Sequence, residues 1–174
     1  MCDTSITPLN KLLNTFDKIA VNQQKDCVYI ELLRAYPLTY NCFSPYFCWD
    51  TDICRKTLIY QNDDIDLFLV CWLPGQRSEI HDHDSFCAMR VIAGRAVEKQ
   101  YDINFGRLQQ RRTRILHTGE IVVLEKGDIH KVINAFGTPL VTLHVYEKQM
   151  NMTIFKEHFE LDEGEPFDPD AIDL

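Results

Sequence analysis

Residues 120–147 read EIVVLEKGDIHKVINAFGTPLVTLHVYE. Three apolar or alternating stretches, 120–125, 129–134 and 139–147, are separated by Gly127-Asp128 and by Gly137-Thr138-Pro139. Short runs rich in Val, Ile, Leu and Thr, bounded by Gly, Pro and Asp, read as strands joined by turns. The same texture continues back to about Arg55. Further stretches lie at 56–60, 65–73, 86–92, 95–102 and 107–116, punctuated by Gly75, Gly94 and Asn104-Phe105-Gly106. Strands at this spacing predict a sandwich or barrel rather than a parallel sheet with crossover helices.

The chain before residue 55 has a different period. Thr7 is placed to cap a helix, Pro8 suits its first position, and Leu9, Leu12, Leu13, Phe16, Ile19 and Ala20 form one apolar stripe. Val28 to Tyr36 reads as a second short helix stopped before Pro37, and residues 37–54 as loop. The expected fold is mainly β, a small antiparallel barrel with N-terminal helices packed outside. A chain of 174 residues with 45% hydrophobic residues suits one domain over 1–174. Its parts are a helical and loop region (1–54), the barrel (55–156) and an acidic tail (157–174).

Charge and composition exclude several roles. Of 26 acidic residues, eight fall in the tail, which has no Lys or Arg, so the net charge of −8 belongs there and the body is balanced. The tail reads as a solvated, partly disordered extension. The one basic cluster, Arg107 to Arg114, lacks interleaved aromatics and reads as the solvated edge of a hairpin, so no nucleic-acid partner is expected. The longest apolar run, Leu67 to Leu73, is far short of the ~20 residues a membrane helix needs, so no membrane role is expected. Seven cysteines without a C-x-x-C pair, behind an N-terminus with no export signal, read as reduced thiols in a cytoplasmic protein.

Six histidines occur, at 81, 83, 117, 130, 144 and 158. In Glu79-Ile80-His81-Asp82-His83-Asp84 the two imidazoles are two apart, so on a strand they share a face and Asp82 takes the other. Two imidazoles on one face are two legs of a metal site. On another strand Thr142, His144 and Tyr146 alternate with Val141, Leu143 and Val145. Three polar groups on one buried face need partners, and a metal cavity provides them.

Gly75 precedes His81 by six residues and Gly94 follows His83 by eleven; later come Gly119, Gly127, His130 and Asn134. This spacing resembles the paired motifs of the cupin superfamily, small β-barrels with a metal inside. The resemblance implies His81, His83 and His130 as ligands. The carboxylate ligand usual in cupins is absent, because Cys87 stands in the place of the Glu. Three His with an open position first suggest zinc and an activated water. In a six-coordinate iron site, three open positions would take a bidentate substrate and O2 side by side.

Within cupins, Cys54-Arg55-Lys56, Cys71-Trp72, Ile80 to His83, Phe86-Cys87, Gly127 to His130 and Thr142 to Tyr146 resemble type I cysteine dioxygenase. That resemblance implies Fe(II) as cofactor, and L-cysteine and O2 as substrates of a dioxygenase that forms cysteine sulfinic acid. It implies Arg55 as the guanidinium gripping the substrate carboxylate. Thr142, His144 and Tyr146 would form a relay to the reacting oxygens, with Thr142 in place of the family's Ser, and Cys87 would be available for a thioether link to Tyr146. Ile53 stands where many members have Tyr. His117 and His158 match no motif. A monomer or homodimer is expected. The alternatives are a dioxygenase for another small thiol such as 3-mercaptopropionate, a zinc- or manganese-dependent isomerase, and a non-catalytic ligand-binding cupin.

Overall fold

A computed structural model describes residues 7–19, 25–148 and 150–155. The acidic tail, His158, Ala20 and the first residues lie outside them. Helix α1 (Pro8–Phe16) starts as its sequence predicts: Thr7 Oγ1 accepts from the Asn10 amide at 3.2 Å, and Leu9, Leu12 and Phe16 are buried. Helix α2 (Lys25–Ala35) contributes Tyr29 and Leu33 to the same core, and a 3-10 segment (Tyr40–Tyr46) adds Phe43. Arg90 donates to the Leu33 and Tyr36 carbonyls, so a cation meets the C-terminal end of α2.

Among the described residues ten strands follow: β1 (Arg55–Gln61), β2 (Ile65–Trp72), β3 (His81–His83), β4 (Cys87–Ala93), β5 (Arg95–Asn104), β6 (Arg107–His117), β7 (Ile121–Leu124), β8 (Ile129–Ile133), β9 (Leu140–Glu147) and β10 (Met152–Ile154). They form two five-stranded antiparallel sheets, in the orders β1-β2-β9-β4-β7 and β10-β3-β8-β5-β6. The eight longer strands match the stretches read from the sequence to within a residue or two. The short strands β3 and β10 are defined by their pairing, Met152 opposite His83 and Ile154 opposite His81.

Alternation sorts the first sheet into two faces. Leu67, Leu69, Cys71, Ala88, Ile92, Val141, Leu143 and Val145 join the core beneath the helices. Val70, Trp72, Cys87, Met89, Val91, Leu140 and Tyr146 face inward, toward the second sheet. Both faces of β2 and β9 are therefore covered, which is why β2 reads as a nearly unbroken apolar run.

Glycine is required where β4 turns into β5. Gly94 has φ +84°, and a Cβ there would lie 2.6 Å from the Pro139 carbonyl oxygen. Gly127, also at positive φ, donates its amide to the His83 carbonyl at 2.8 Å. That bond ties the turn before His130 to the strand carrying His81 and His83. Asn134 is fully buried and donates to the carbonyls of Trp72 and Thr138, bracing the connection from β8 to β9.

Candidate metal centre

His81 and His130 are direct cross-strand partners on β3 and β8, and His83 follows two residues along β3 on the same face. All three are buried. The Nε2 atoms of His81 and His130 lie 3.1 Å apart, and those of His83 and His130 3.3 Å apart. Nδ1 of His81 is 2.8 Å from the Glu79 carbonyl, so it carries the hydrogen and donates, leaving Nε2 a bare lone pair. Nδ1 of His130 faces the Glu98 carboxylate at 3.4 Å, which places its hydrogen there as well. Two bare lone pairs 3.1 Å apart repel unless a cation lies between them. Metal–nitrogen bonds of about 2.1 Å at near-octahedral or tetrahedral angles separate two nitrogens by roughly 3.0–3.4 Å. The donor set fits a divalent metal. Burial, reinforced by the neighbouring imidazoles, pushes His81 down to about 4 and His83 to about 3, so both rings are neutral near pH 7.

Behind this cluster stands a carboxylate that the sequence reading missed. Glu98, on β5, has no exposed surface, and its second oxygen accepts from Arg114 Nε on β6. Burial alone would raise its carboxyl, but the facing His130 ring and the hydrogen-bonded Arg114 guanidinium outweigh that and hold it below the ordinary value. Arg114 was expected on a solvated hairpin edge; instead it turns toward Glu98, because Glu98 and Arg114 are cross-strand partners and a buried charge needs a counter-ion. The rest of that expectation holds for Arg107, Arg111 and Arg112, which are exposed on edge strand β6. The available signal was an acid directly after the apolar pair Ala96-Val97 inside a strand.

The second polar set also converges. Trp72 Nε1 donates to Thr142 Oγ1 at 2.9 Å; Thr142 Oγ1 lies 2.8 Å from His144 Nε2, and His144 Nδ1 lies 3.1 Å from the Tyr146 hydroxyl. The indole can only donate, so the Thr142 hydroxyl accepts from it and sends its own hydrogen to His144 Nε2. The His144 hydrogen then sits on Nδ1 and is donated to the Tyr146 oxygen, which frees the phenolic hydrogen for another acceptor. Burial keeps His144 neutral and Tyr146 protonated. The Tyr146 ring centroid is 5.5 Å from that of His83, so the relay ends beside the histidine cluster. Cys87 is the direct cross-strand partner of Tyr146, and burial pushes its thiol up.

One sequence-derived candidate lies elsewhere. Arg55 does not reach this cluster: Nε and one terminal nitrogen donate to Asp50 Oδ2 at 2.9 and 2.6 Å, and its side chain is half exposed. The cause is strand alternation. Arg55 is opposite Cys71, whose side chain belongs to the core under the helices, so its own side chain leaves on that face. His117 is exposed at the end of β6.

Two antiparallel sheets enclosing a three-histidine cluster define a metal-binding barrel of the double-stranded β-helix class, the cupin fold. A protein of Thermus thermophilus superposes with TM-score 0.52 at 17% identity, over 60% of this chain and 93% of that one. A double-stranded β-helix protein of Klebsiella pneumoniae gives 0.51 at 18%, over 65% and 93%. The model of the cysteine dioxygenase type I family matches residues 2–155, and the chain belongs to that family. Cysteine dioxygenase type 1 of Danio rerio is 27% identical over 150 residues, 79% of this chain and 73% of the relative. That of Bos taurus is 31% identical over 122 residues; the match spans 66% of this chain and 61% of the bovine protein. No helix among the described residues is long and apolar enough to cross a membrane.

Proposed function

We propose that the protein is a thiol dioxygenase that uses Fe(II), held by His81, His83 and His130, to convert L-cysteine and O2 to cysteine sulfinic acid. The observation that supports it is the convergence of neutral imidazole nitrogens at one buried point beside a hydroxyl freed to donate. When bound, Fe(II) supplies the redox chemistry that lets O2 react with a thiol. Both oxygen atoms go to sulfur and O2 takes its four electrons from it, so no external reductant is consumed.

The chain's own residues do the remaining work. An imidazole that ligates a metal carries no charge, so three such ligands would leave a bound divalent ion its full charge and favour the thiolate form of the substrate. Tyr146, oriented through Trp72, Thr142 and His144, donates its hydrogen to the reacting oxygens. Phe68, Val70, Met89 and Val91 make the inner wall apolar and exclude bulk water. Cys27, Cys42, Cys48, Cys54, Cys71 and Cys87 are all free thiols, which suits a cytoplasmic protein.

Oxygen uptake with the iron-loaded protein tests this reading. One O2 consumed per L-cysteine, with sulfinate as product, is the expected result. Faster uptake with 3-mercaptopropionate would move the substrate assignment. A metal-loaded protein that consumes no O2 with any thiol would sink the dioxygenase reading.

The cross-strand placement of Cys87 and Tyr146 supports a thioether between Sγ and the phenol ring. Its formation removes the thiol hydrogen and one ring hydrogen, with O2 as oxidant. After aerobic turnover the intact chain should be lighter by two hydrogens, and the Cys87→Ala variant should keep its full calculated mass. Equal deficits in both would place the modification elsewhere.

A further inference from the structure

We propose that two copies of the chain dock end to end, each placing Phe105 of its β5–β6 hairpin in a cavity beneath helix α2 of the other. The inference is independent of the metal and of the reaction proposed above.

The hairpin tip is built against its own local chemistry. Asn104 pairs with Arg107, so Phe105 and Gly106 form a two-residue loop, and both have positive φ, +52° and +75°. Such a loop favours Asn, Asp or Gly at its first position, because a bulky side chain crowds the backbone in the left-handed region. Among the described residues Phe105 is the one non-glycine at positive φ. It is also fully exposed, and Ile103 beside it is half exposed. The ring is strained and buries no apolar surface in its own chain, so the contact that rewards it lies on another molecule.

A matching hole lies at the same end of the barrel. A cavity of about 540 Å³ opens between α2 and the first sheet, with Ile30, Phe86 and Val123 as apolar walls and Cys27 on its edge. Val123, on edge strand β7, is an exposed apolar side chain in this wall. The space holds a phenyl ring with room to spare. Glu125 and Lys126, also on the cavity, precede Ile129 across the short Gly127 turn. Ile129 pairs with Tyr101, from which β5 runs on to the tip. Knob and hole therefore share one end of the molecule. A two-fold axis there places each knob in the other's hole and closes the assembly at two copies.

Charge selects a second copy as the occupant. The cavity carries three carboxylates, Asp84, Glu125 and Glu147, against the ammonium of Lys126. Asp84 accepts from the Asn151 backbone and side-chain amides at 2.7 and 2.8 Å, whereas Glu125 and Glu147 enter no ion pair among the described residues. The hairpin carries Arg107, Arg111 and Arg112, with Asp102 lying 3.6 Å from Arg111. An apolar knob flanked by guanidinium groups thus meets an apolar hole rimmed by carboxylates. An anionic lipid surface would suit the hairpin alone and leave the cavity without a role. Glu147 also lines a second cavity, shared with Phe68 and Tyr146, so the docked hairpin stands next to that opening.

Sedimentation velocity over a range of chain concentrations tests the proposal. The wild-type chain should pass from monomer to dimer as concentration rises, and iodoacetamide should alkylate Cys27 more slowly as the dimer fills. Phe105→Asn should remain monomeric throughout. Its melting temperature, compared with that of the wild-type monomer, should not fall, because Asn suits the left-handed position. Val123→Glu, on the hole side, should be monomeric too. Added NaCl should weaken the wild-type dimer, since the two rims attract by charge. A wild-type chain that stays monomeric to millimolar concentration overturns the proposal. So does a dimer that survives either substitution, and so does a monomer that instead cosediments with phosphatidylglycerol vesicles through Phe105.

Discussion

Replacing His83 with alanine is expected to abolish tight metal binding. The wild-type chain should take up one equivalent of Fe(II) or Zn(II), and His83→Ala far less than one at micromolar metal. Three imidazoles meet at one point, and two of them leave a site with half the ligands of a closed tetrahedral centre. Thiol-dependent O2 uptake should disappear with the metal. Metal analysis after gel filtration reads the result, with His117→Ala, at an exposed position, as the control. A full equivalent of metal retained by His83→Ala would place the centre elsewhere. The fold should survive, because the inward apolar cluster and the core beneath the helices lie outside the histidine set.

Glu98→Gln should weaken metal binding by about tenfold to hundredfold, the usual consequence of removing the carboxylate that orients a ligating histidine. Glu98, which has no exposed surface, performs two tasks. One oxygen faces Nδ1 of His130 and keeps the hydrogen there, which leaves Nε2 free for the metal. The other accepts from Arg114 and neutralises it. Glutamine retains the shape but not the charge, so its amide can donate toward Nδ1 and favour the wrong tautomer. Competition with a chelator measures the effect: a shifted midpoint at unchanged stoichiometry is the expected pattern. An unshifted midpoint would reduce Glu98 to a structural ion pair with Arg114. The spectrum of the Co(II)-substituted protein should change as well, since the His130 ring loses its anchor.

The glycine-framed H-x-H pattern and the Thr142-His144-Tyr146 alternation were readable along the chain because each depends on spacing of two along one strand. Glu98 was not, because its meaning comes from partners on two other strands, Arg114 across one ladder and His130 across another. Trp72 illustrates the same limit. It stood in a recognisable motif, but its role as the donor that sets the direction of the relay depends on Thr142, seventy residues later.

The short strands show how little a local pattern says when pairing supplies the order. Residues 152–154 carry three exposed side chains and no strong β signal, yet they close the sheet edge beside His81 and His83. Their backbone groups find partners on β3, and that ladder, rather than burial, makes them a strand.

By itself, the sequence determined the strand texture after residue 55, the two N-terminal helices, the histidines that carry the site and the polar face of β9. All of these are periodicities or spacings that operate within a few residues. The tertiary structure alone decided which face of β1 looks inward. A period of two says that Cys54 and Lys56 share one side and that Arg55 takes the other, but a one-residue offset exchanges the sides without changing the pattern. Pairing with β2 removes the ambiguity by setting Lys56 against Val70 and Arg55 against Cys71, and so decides which cation faces the cavity.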